Sequence, residues 1–263
     1  MNTSISFLRR ASLVAVAVAA FAPSLWSAEL FDGKTLSGWE GDPKWWRVQD
    51  GAITGGSMTE KVPRNFFLAT TKSYQNFDLR LQLKLTGVPN TGMINSGVQI
   101  RSLRVPDNTE MSGYQVDAGE GWWGKMYDES RRNKVIAESK DLAGVNAAVK
   151  PGEWNEYRVR AEGARIRSWI NGVPALDYTE TEPNIAQDGR IAIQIHSGGM
   201  ALVQVKEVRI EELPPTRPRG TKSVCRSRVK RPRKRRRRPR KKSSRSNVSY
   251  GRLAACGKVR PAP

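Results

Sequence analysis

The sequence predicts an all-β fold, an antiparallel β-sandwich or jelly roll, for most of its 263 residues. Apolar and polar residues alternate in several segments between residues 29 and 213, as they do in strands with one buried face. Helical periodicity is hard to find in the same range. Gly, Asn and Asp recur at short intervals, which is typical of turns between many short strands.

The individual strand signals follow this pattern along the chain. Residues 77–85 alternate strictly between apolar and polar, and residues 157–161 and 191–195 do the same. Asn171-Gly172 lies between two strand-like segments and predicts a two-residue hairpin turn. In the last segment, residues 202–213, the apolar positions change from odd to even numbers, which predicts a β-bulge near Lys206 and Glu207.

The N-terminus has the pattern of a secretory signal peptide. Arg9 and Arg10 precede an apolar run from Ala11 to Trp26, and small residues follow at Ser27 and Ala28. The run is shorter than the ~20 residues of a comfortable membrane span, although an uncleaved anchor is the alternative. We therefore expect a signal peptide over residues 1–27 and a periplasmic or secreted protein.

The charge of the chain is concentrated at its C-terminal end. The formal net charge of +20 would suggest a nucleic-acid-binding protein. However, residues 214–263 hold 20 of the 45 Lys and Arg and none of the 25 Asp and Glu, so residues 1–213 are neutral. With seven Pro and one aromatic residue, this segment is predicted to be a disordered tail. A shifted reading frame would produce the same change in composition and is the alternative.

The tail has a predicted partner of its own. Such a cationic segment binds polyanions through release of their counterions. In an exported protein the expected polyanion is an anionic polysaccharide or a membrane surface, and export disfavours nucleic acid. The domain itself is expected to span residues 28–213, and the charge of the whole chain says nothing about the partner of the domain.

Several reaction classes are disfavoured by missing residues. Both cysteines, Cys225 and Cys256, lie in the tail, and His196 is the single histidine, so the domain has no cysteine nucleophile and no multi-histidine metal site. No E-x-D-x-x-E motif of a two-carboxylate glucanase and no G-x-S-x-G motif occurs. The sequence requires no cofactor, and a calcium site built from Asp, Asn and carbonyl groups stays open.

Polar residues on the second face of three predicted strands indicate a groove that binds a ligand. The pairs predicted to share a face are Gln99 with Arg101, Gln115 with Asp117, and Gln194 with His196. Amides, a guanidinium, a carboxylate and an imidazole can bind hydroxyl groups and move a proton. Ordinary solvated strand faces are the alternative.

Adjacent tryptophans mark a second candidate feature. Trp122 and Trp123 lie between two glycines, which suits a loop that presents aromatic faces to a sugar. The alternative is that one of the two closes the edge of the sandwich. Trp154 and the Trp45-Trp46 pair are expected in the core.

A set of short motifs resembles the 3-keto-disaccharide hydrolase domain family over essentially all of residues 29–213. The motifs are LFDGKTLSGW at 30–39, NSGVQIR at 95–101, GYQVD at 113–117, GWWGKMYDESRR at 121–132, EWNEYRVR at 153–160, WINGV at 169–173, GRIAIQIHSGG at 189–199 and VRIEEL at 208–213. The GWWGKMYDESRR segment looks like that of planctomycete-type secreted members. The resemblance implies a concanavalin- or LamG-like jelly roll that hydrolyses glycosides with a ketone at C3.

The implied reaction needs a base and an acid. A C3 ketone acidifies the C2 proton, so that a base can remove it while the C1 oxygen leaves, and water then adds to the enone. The candidate bases are His196 and Asp117, and the candidate acids are Tyr127 and Glu120. Arg101 would stabilise the enolate or hold the sugar. The predicted substrate-binding residues are Gln99, Gln115, Gln194, Trp122, Trp123 and Asp128.

Two other functions are compatible with these residues. The first is a non-catalytic, lectin-like carbohydrate-binding module on the same fold. The second is an anchor that acts mainly through its cationic tail.

Overall fold

The computed structural model describes residues 27–216. Residues 1–26 of the predicted signal peptide and residues 217–263 of the predicted tail lie outside the described residues. Within residues 27–216, no helix has the length and apolar character needed to cross a membrane.

The described residues form fifteen β-strands and one short α-helix. In chain order they are β1 (Ser27–Glu29), β2 (Trp39–Glu40), β3 (Trp46–Gln49), β4 (Ala52–Ser57), β5 (Phe66–Tyr74), β6 (Phe77–Gly87), β7 (Asn95–Arg104), β8 (Met111–Gly119), β9 (Lys125–Glu129), β10 (Val135–Glu138), α1 (Leu142–Ala148), β11 (Asn155–Glu162), β12 (Arg165–Ile170), β13 (Val173–Thr179), β14 (Gly189–Ile195) and β15 (Ala201–Glu212).

Two antiparallel sheets pack face to face and form a jelly-roll sandwich. The first sheet has the order β13-β12-β11-β6-β15-β4-β3, with β1 added beside β15. The second sheet has the order β10-β9-β8-β7-β14-β5-β2. This arrangement confirms the predicted all-β class.

The core lies between the sheets and follows the predicted alternation. Leu79, Leu81 and Leu83 of β6 are buried, whereas Arg80 between them is exposed, because successive side chains of a strand point to opposite faces. Val98 of β7 and Ile193 of β14 occupy the same core from the second sheet. Burial of these apolar side chains is the main force that holds the two sheets together.

Two local predictions are confirmed. Asn171 and Gly172 both have positive φ angles, 50° and 81°, as a two-residue turn between β12 and β13 requires. The pairing of β15 with β6 shifts between Lys206 and Arg209, and Glu207 has a φ of 53°. The bulge therefore lies where the change in apolar phase placed it.

Two features differ from the prediction. Helix α1 was not expected, and only Val145 of its residues is fully buried, so the helix leaves almost no periodic signal in the sequence. The side chain of Asp141 accepts a hydrogen bond from the amide of Gly144 and caps the start of the helix. Trp154, expected in the core, is partly exposed, and the ammonium groups of Lys84 and Lys206 lie 4.9 and 4.5 Å from its ring.

Candidate functional site

Three glutamines meet on the outer face of the second sheet, the face turned away from the core. Gln99 of β7 lies directly opposite Gln115 of β8, and Gln194 of β14 lies opposite Gly97 of β7. Residues directly opposite each other on antiparallel strands project to the same face. The structure therefore brings together the three predicted polar strands. We call the outer surface that carries Gln99, Gln115 and Gln194 the polar face.

The glutamines are joined into one hydrogen-bond network. Gln99 Nε2 donates to Gln115 Oε1 at 3.2 Å. Gln115 Nε2 donates to Asp117 Oδ1 at 2.8 Å and to Gln194 Oε1 at 3.0 Å. Gln194 Nε2 in turn donates to Glu129 Oε2 at 3.2 Å. The network fixes the orientation of two carboxyl groups, one on β8 and one on β9.

A glycine makes room for the network. A Cβ atom placed on Gly97 would lie 2.5 Å from Cγ of Gln115, which is closer than real Cβ contacts. Gln115 can therefore lie across β7 only because residue 97 has no side chain. This close approach explains why the NSGVQIR segment has glycine at position 97.

Asp117 is the most deeply buried carboxyl group of the polar face. Asp117 is only 2% exposed, and within residues 27–216 its Oδ2 atom has no hydrogen-bond partner. The pKa of Asp117 is raised to about 8, mainly by burial. The charge of Glu129 contributes to the rise, whereas the hydrogen bond from Gln115 and the charge of Lys125 oppose it. Asp117 therefore holds a proton at neutral pH.

Glu129 is half-buried at the edge of the same network. Its pKa is raised to about 7, mainly by burial and also by the negative charge of Glu110, whereas the hydrogen bond from Gln194 opposes the rise. Glu129 can thus gain and lose a proton near neutral pH. Burial also raises the pKa of Glu110, and a hydrogen bond with the side chain of Asn65 opposes the rise.

Glu129 and Glu110 were not among the predicted site residues. Alternation in residues 125–129 is the sequence signal that places Lys125, Tyr127 and Glu129 on one face of the strand. In the structure this face belongs to the polar face, since Tyr127 lies opposite Gln115. Glu110 carries no such signal, since it precedes β8 in a hairpin loop whose course the sequence does not define.

Three partly exposed side chains surround the buried network: Lys125, Tyr127 and His196. Burial raises the pKa of Tyr127, as do the charges of Glu129 and Asp117, so Tyr127 keeps its proton. The His196 Nδ1 atom lies 2.8 Å from the carbonyl oxygen of Ser197. Since a carbonyl oxygen only accepts, Nδ1 carries a hydrogen in this contact.

Arg101 does not join the polar face, and the expectation that it shares a face with Gln99 was wrong. The pairing of β7 with β8 shifts after Ile100, and Arg101 adopts a left-handed φ of 48°, so its side chain turns away. Arg101 is 1% exposed, and its guanidinium donates to oxygen atoms of Gln75, Asn76, Gly163 and Gln187 at 2.6 to 3.1 Å. It ties turns of the fold together and is closed to a ligand.

Asp128 and Glu120 also lie apart from the polar face. Asp128 is fully buried and pairs with Arg131, at 2.7 Å, and with Arg132. Asp128 lies opposite Tyr114, so it projects to the face opposite that of Tyr127. Glu120 is exposed just after the end of β8.

A cavity of about 1200 Å³ lies at one end of the sandwich, and we call it the end pocket. Its walls come from residues 85–94, 119–123 and 146–155. Glu120, Trp122 and Trp123 line it, so the structure separates these three predicted residues from the glutamines. The end pocket borders the polar face at Trp122, whose ring packs edge-on against Tyr127 with a centroid distance of 6.2 Å.

Within residues 27–216, no group of three or more His, Cys, Asp or Glu side chains is arranged to hold a metal ion. The polar face offers two carboxyl groups with raised pKa values, a phenol, an imidazole and an ammonium group.

Comparison with known proteins gives one family and several related folds. The model of a family described as a 3-keto-alpha-glucoside-1,2-lyase-like domain matches residues 27–211. A 3-keto-disaccharide hydrolase of Bacteroides thetaiotaomicron is 24% identical over 170 residues, which span 57% of this chain and 57% of that protein. The match thus covers little more than half the length of this curated relative.

Solved structures support the fold. A protein from Parabacteroides distasonis ATCC 8503, provisionally named a glycosyl hydrolase, has a TM-score of 0.52 and 23% identity over 72% of this chain and 94% of its own. A Bacillus subtilis protein with a galectin-like fold has a TM-score of 0.51 and 8% identity over 73% and 97% of the two chains. At such identities these structures show a shared jelly-roll architecture.

Proposed function

Because the chain belongs to the 3-keto-alpha-glucoside-1,2-lyase-like domain family, we propose that it cleaves glycosides whose sugar carries a ketone at C3. The proposed reaction is elimination across C1 and C2 followed by addition of water. The observation that carries the proposal is Glu129, a half-buried carboxyl group with a pKa raised to about 7 and oriented by Gln194. A base of this strength is suited to proton transfer at neutral pH.

Glu129 takes the proton from C2 in the first step. The electrons of the C2–H bond form an enolate with the C3 ketone, and Lys125 supplies a positive charge near the developing enolate oxygen. The C1–O bond then breaks, and the enolate collapses to an enone with a C1–C2 double bond. Asp117 is too deeply buried to contact the sugar, so it acts behind Glu129 by holding Gln115 in place.

Tyr127 protonates the departing oxygen in the second step. Its raised pKa keeps the phenol protonated until it transfers its hydrogen to the leaving oxygen, and the phenolate then recovers a proton from the water molecule that adds to C1. Water then adds to C1, C2 regains a proton from Glu129, and the products are the 3-keto sugar and the released alcohol or sugar. The sum of the steps is hydrolysis, with no net oxidation or reduction.

The test is turnover of a 3-keto-disaccharide by the purified chain, followed by release of reducing sugar and by ultraviolet absorbance of the enone. Glu129→Gln should lower kcat by ~10²-fold or more, since general-base catalysis contributes about that much. The matched control is Glu156→Gln, the same change on an exposed strand position of the other sheet. Full activity of Glu129→Gln would overturn the assignment of Glu129 as the base. If His196→Gln loses activity and Glu129→Gln does not, the base is His196.

A non-catalytic carbohydrate-binding module is the second candidate. The end pocket favours it, because its tryptophans can bind a sugar without any acid or base. Saturable glycan binding by the wild-type chain, with no turnover of any 3-keto substrate, would establish this function in place of the enzyme.

A further inference from the structure

We propose that the end pocket binds an apolar leaving group, so that the chain prefers 3-keto-glycosides of alcohols with a hydrocarbon ring to those of a second sugar. The inference rests on the proposed function, because it places the reacting 3-keto sugar on the polar face. It names the substrate class of that reaction from the walls that surround the departing alcohol.

The end pocket begins beside the proton donor of the proposed reaction. Trp122 lines the end pocket, and its ring packs edge-on against Tyr127, which protonates the departing oxygen. None of the residues of the glutamine network lines the end pocket. A 3-keto sugar held at Glu129 therefore leaves the end pocket free for the group on the other side of the bond that breaks.

The inner wall of the end pocket is apolar. Its volume of about 1200 Å³ is ample for a ring, since ligand pockets commonly measure about 300–1,000 Å³. Its apolar side chains come from β6, the loop before β7, the turn after β8 and the segment after α1, and they are Leu85, Met93, Ile94, Trp122, Trp123 and Val149. Transfer of hydrocarbon from water to such a wall is favourable.

The polar side chains that line the end pocket are either exposed at its rim or already paired. The exposed ones are Asn90, Glu120, Asn146 and Lys150. The buried one, Asn155, donates through Nδ2 to the carbonyl oxygens of Lys150 and Glu153 and accepts at Oδ1 from the Lys150 amide and from Asn171, all at 2.8 to 2.9 Å. A side-chain amide has two donor hydrogens and two acceptor lone pairs, so Asn155 has none left for a ligand.

The turn that carries the two tryptophans uses its own backbone groups. The amides of Trp122 and Trp123 donate to the carbonyl oxygen of Gly119 at 2.9 and 3.1 Å, and the Trp122 carbonyl accepts from the Lys125 amide at 3.1 Å. A sugar ring in the end pocket would therefore bury hydroxyls against groups that are already paired, which is unfavourable. A hydrocarbon ring can contact the same tryptophans and has no hydroxyl to leave unpaired.

Met93 is an exposed apolar residue that such a ligand would cover. It is 42% exposed, and adjoining exposed apolar residues often mark a ligand site. Its backbone is held in place, because a Cβ atom on Gly199 would lie 2.2 Å from the carbonyl oxygen of Met93, and one on Gly92 would lie 2.1 Å from that of Gly198. A substitution of the Met93 side chain therefore changes the polarity of the wall without disturbing this packing.

Trp123 has a different role from its neighbour. It packs on Tyr157, with a centroid distance of 6.1 Å, and contacts the hydrophobic core. Trp123 therefore closes the sandwich, whereas Trp122 offers its surface to the ligand.

The experiment compares three 3-keto-glucosides, whose leaving groups are cyclohexylmethanol, glucose linked through its 6-hydroxyl, and methanol. The first two leaving groups are six-membered rings joined through one methylene group, so their comparison isolates the hydroxyls of the sugar. We expect the wild-type kcat/KM for the cyclohexylmethyl glycoside to exceed each of the other two at least about tenfold, as a hydrophobic pocket discriminates by that much for small apolar groups.

The variant that tests the wall is Met93→Gln. It should lower the ratio of kcat/KM for the cyclohexylmethyl and methyl glycosides about fourfold or more, mainly through KM, which is the effect of about one buried methylene group. The matched control is Met58→Gln, the same change at another exposed methionine that does not line the end pocket, and it should leave the ratio unchanged.

The outcomes separate this inference from the proposed function. If the wild-type chain turns over all three substrates without preferring the cyclohexylmethyl glycoside, or if Met93→Gln leaves that preference unchanged, the apolar pocket is wrong and the enzyme stands. If the wild-type chain turns over none of them, the proposed function is wrong, and calorimetry with the unoxidised glycosides tests the end pocket directly. Tighter binding of the cyclohexylmethyl glucoside than of the disaccharide would then support the apolar pocket, and equal or weaker binding would overturn it.

Discussion

Replacing Asp117 by asparagine should remove a large part of the pH dependence of folding stability. Asparagine has nearly the same shape and is neutral at every pH. Its Oδ1 can accept the hydrogen bond from Gln115, and its Nδ2 takes the place of the unpartnered Oδ2. The protonated Asp117 also has a hydroxyl without an acceptor, so the two side chains carry similar desolvation costs at low pH.

The magnitude follows from the two pKa values of Asp117. In the folded chain the pKa is about 8, and in the unfolded chain it returns to about 3.9. Between these values the folded state binds one more proton than the unfolded state, so the free energy of unfolding falls by about 1.4 kcal/mol per pH unit as the pH rises. From pH 6 to pH 8 the wild type should therefore lose about 2 kcal/mol relative to Asp117→Asn.

Urea denaturation followed by tryptophan fluorescence at pH 6 and pH 8 measures this difference. Asp177→Asn is the control, because Arg165 lowers the pKa of that exposed carboxyl group and it stays ionised at both pH values. Wild type and Asp177→Asn should lose similar stability, and Asp117→Asn should lose about 2 kcal/mol less. If Asp117→Asn follows the wild type between the two pH values, Asp117 is not protonated and its environment has been misjudged.

Three further predictions concern other parts of the chain. Glu110→Gln removes a charge that raises the pKa of Glu129, so the acidic limb of the pH profile of kcat/KM should move to lower pH. An unchanged acidic limb would contradict the effect of Glu110 on Glu129. Arg101→Met removes the four hydrogen bonds that a buried guanidinium donates and should cost about 3–5 kcal/mol in urea unfolding. A loss below about 1 kcal/mol would refute a structural role. A chain that ends at residue 216 should elute from a heparin column at much lower salt than the full chain, because it lacks all 20 basic residues that follow residue 213. Equal retention would exclude polyanion binding by that segment.

Much of the fold could be predicted from the sequence because its signals are local. The alternation in residues 77–85, the Asn171-Gly172 turn and the phase change near Lys206 each depend on a few neighbouring residues. The structure confirms each of them as β6, the β12–β13 turn and the β15 bulge. The short helix α1 was not predicted, because a single buried residue, Val145, creates no helical periodicity of apolar residues in the sequence.

The candidate site could be predicted only in part. Alternation correctly placed Gln115 beside Asp117 and brought Gln99 and Gln194 to the same face. It failed for Arg101, because a bulge of one residue reverses the face on which every later side chain lies. It also could not show that Glu120 and the two tryptophans line a pocket of their own.

The amino-acid sequence is sufficient to establish the all-β class, the concentration of positive charge after residue 213, and the residue types available for chemistry. Which of those residues act together, and in which protonation state, depends on where the folded chain places them. The pKa of Asp117 depends on burial by neighbouring strands, and that of Glu129 depends on burial and on Glu110, which lies nineteen positions earlier in the chain. Such effects arise from desolvation and charge across strands that are distant in sequence, so no local pattern records them.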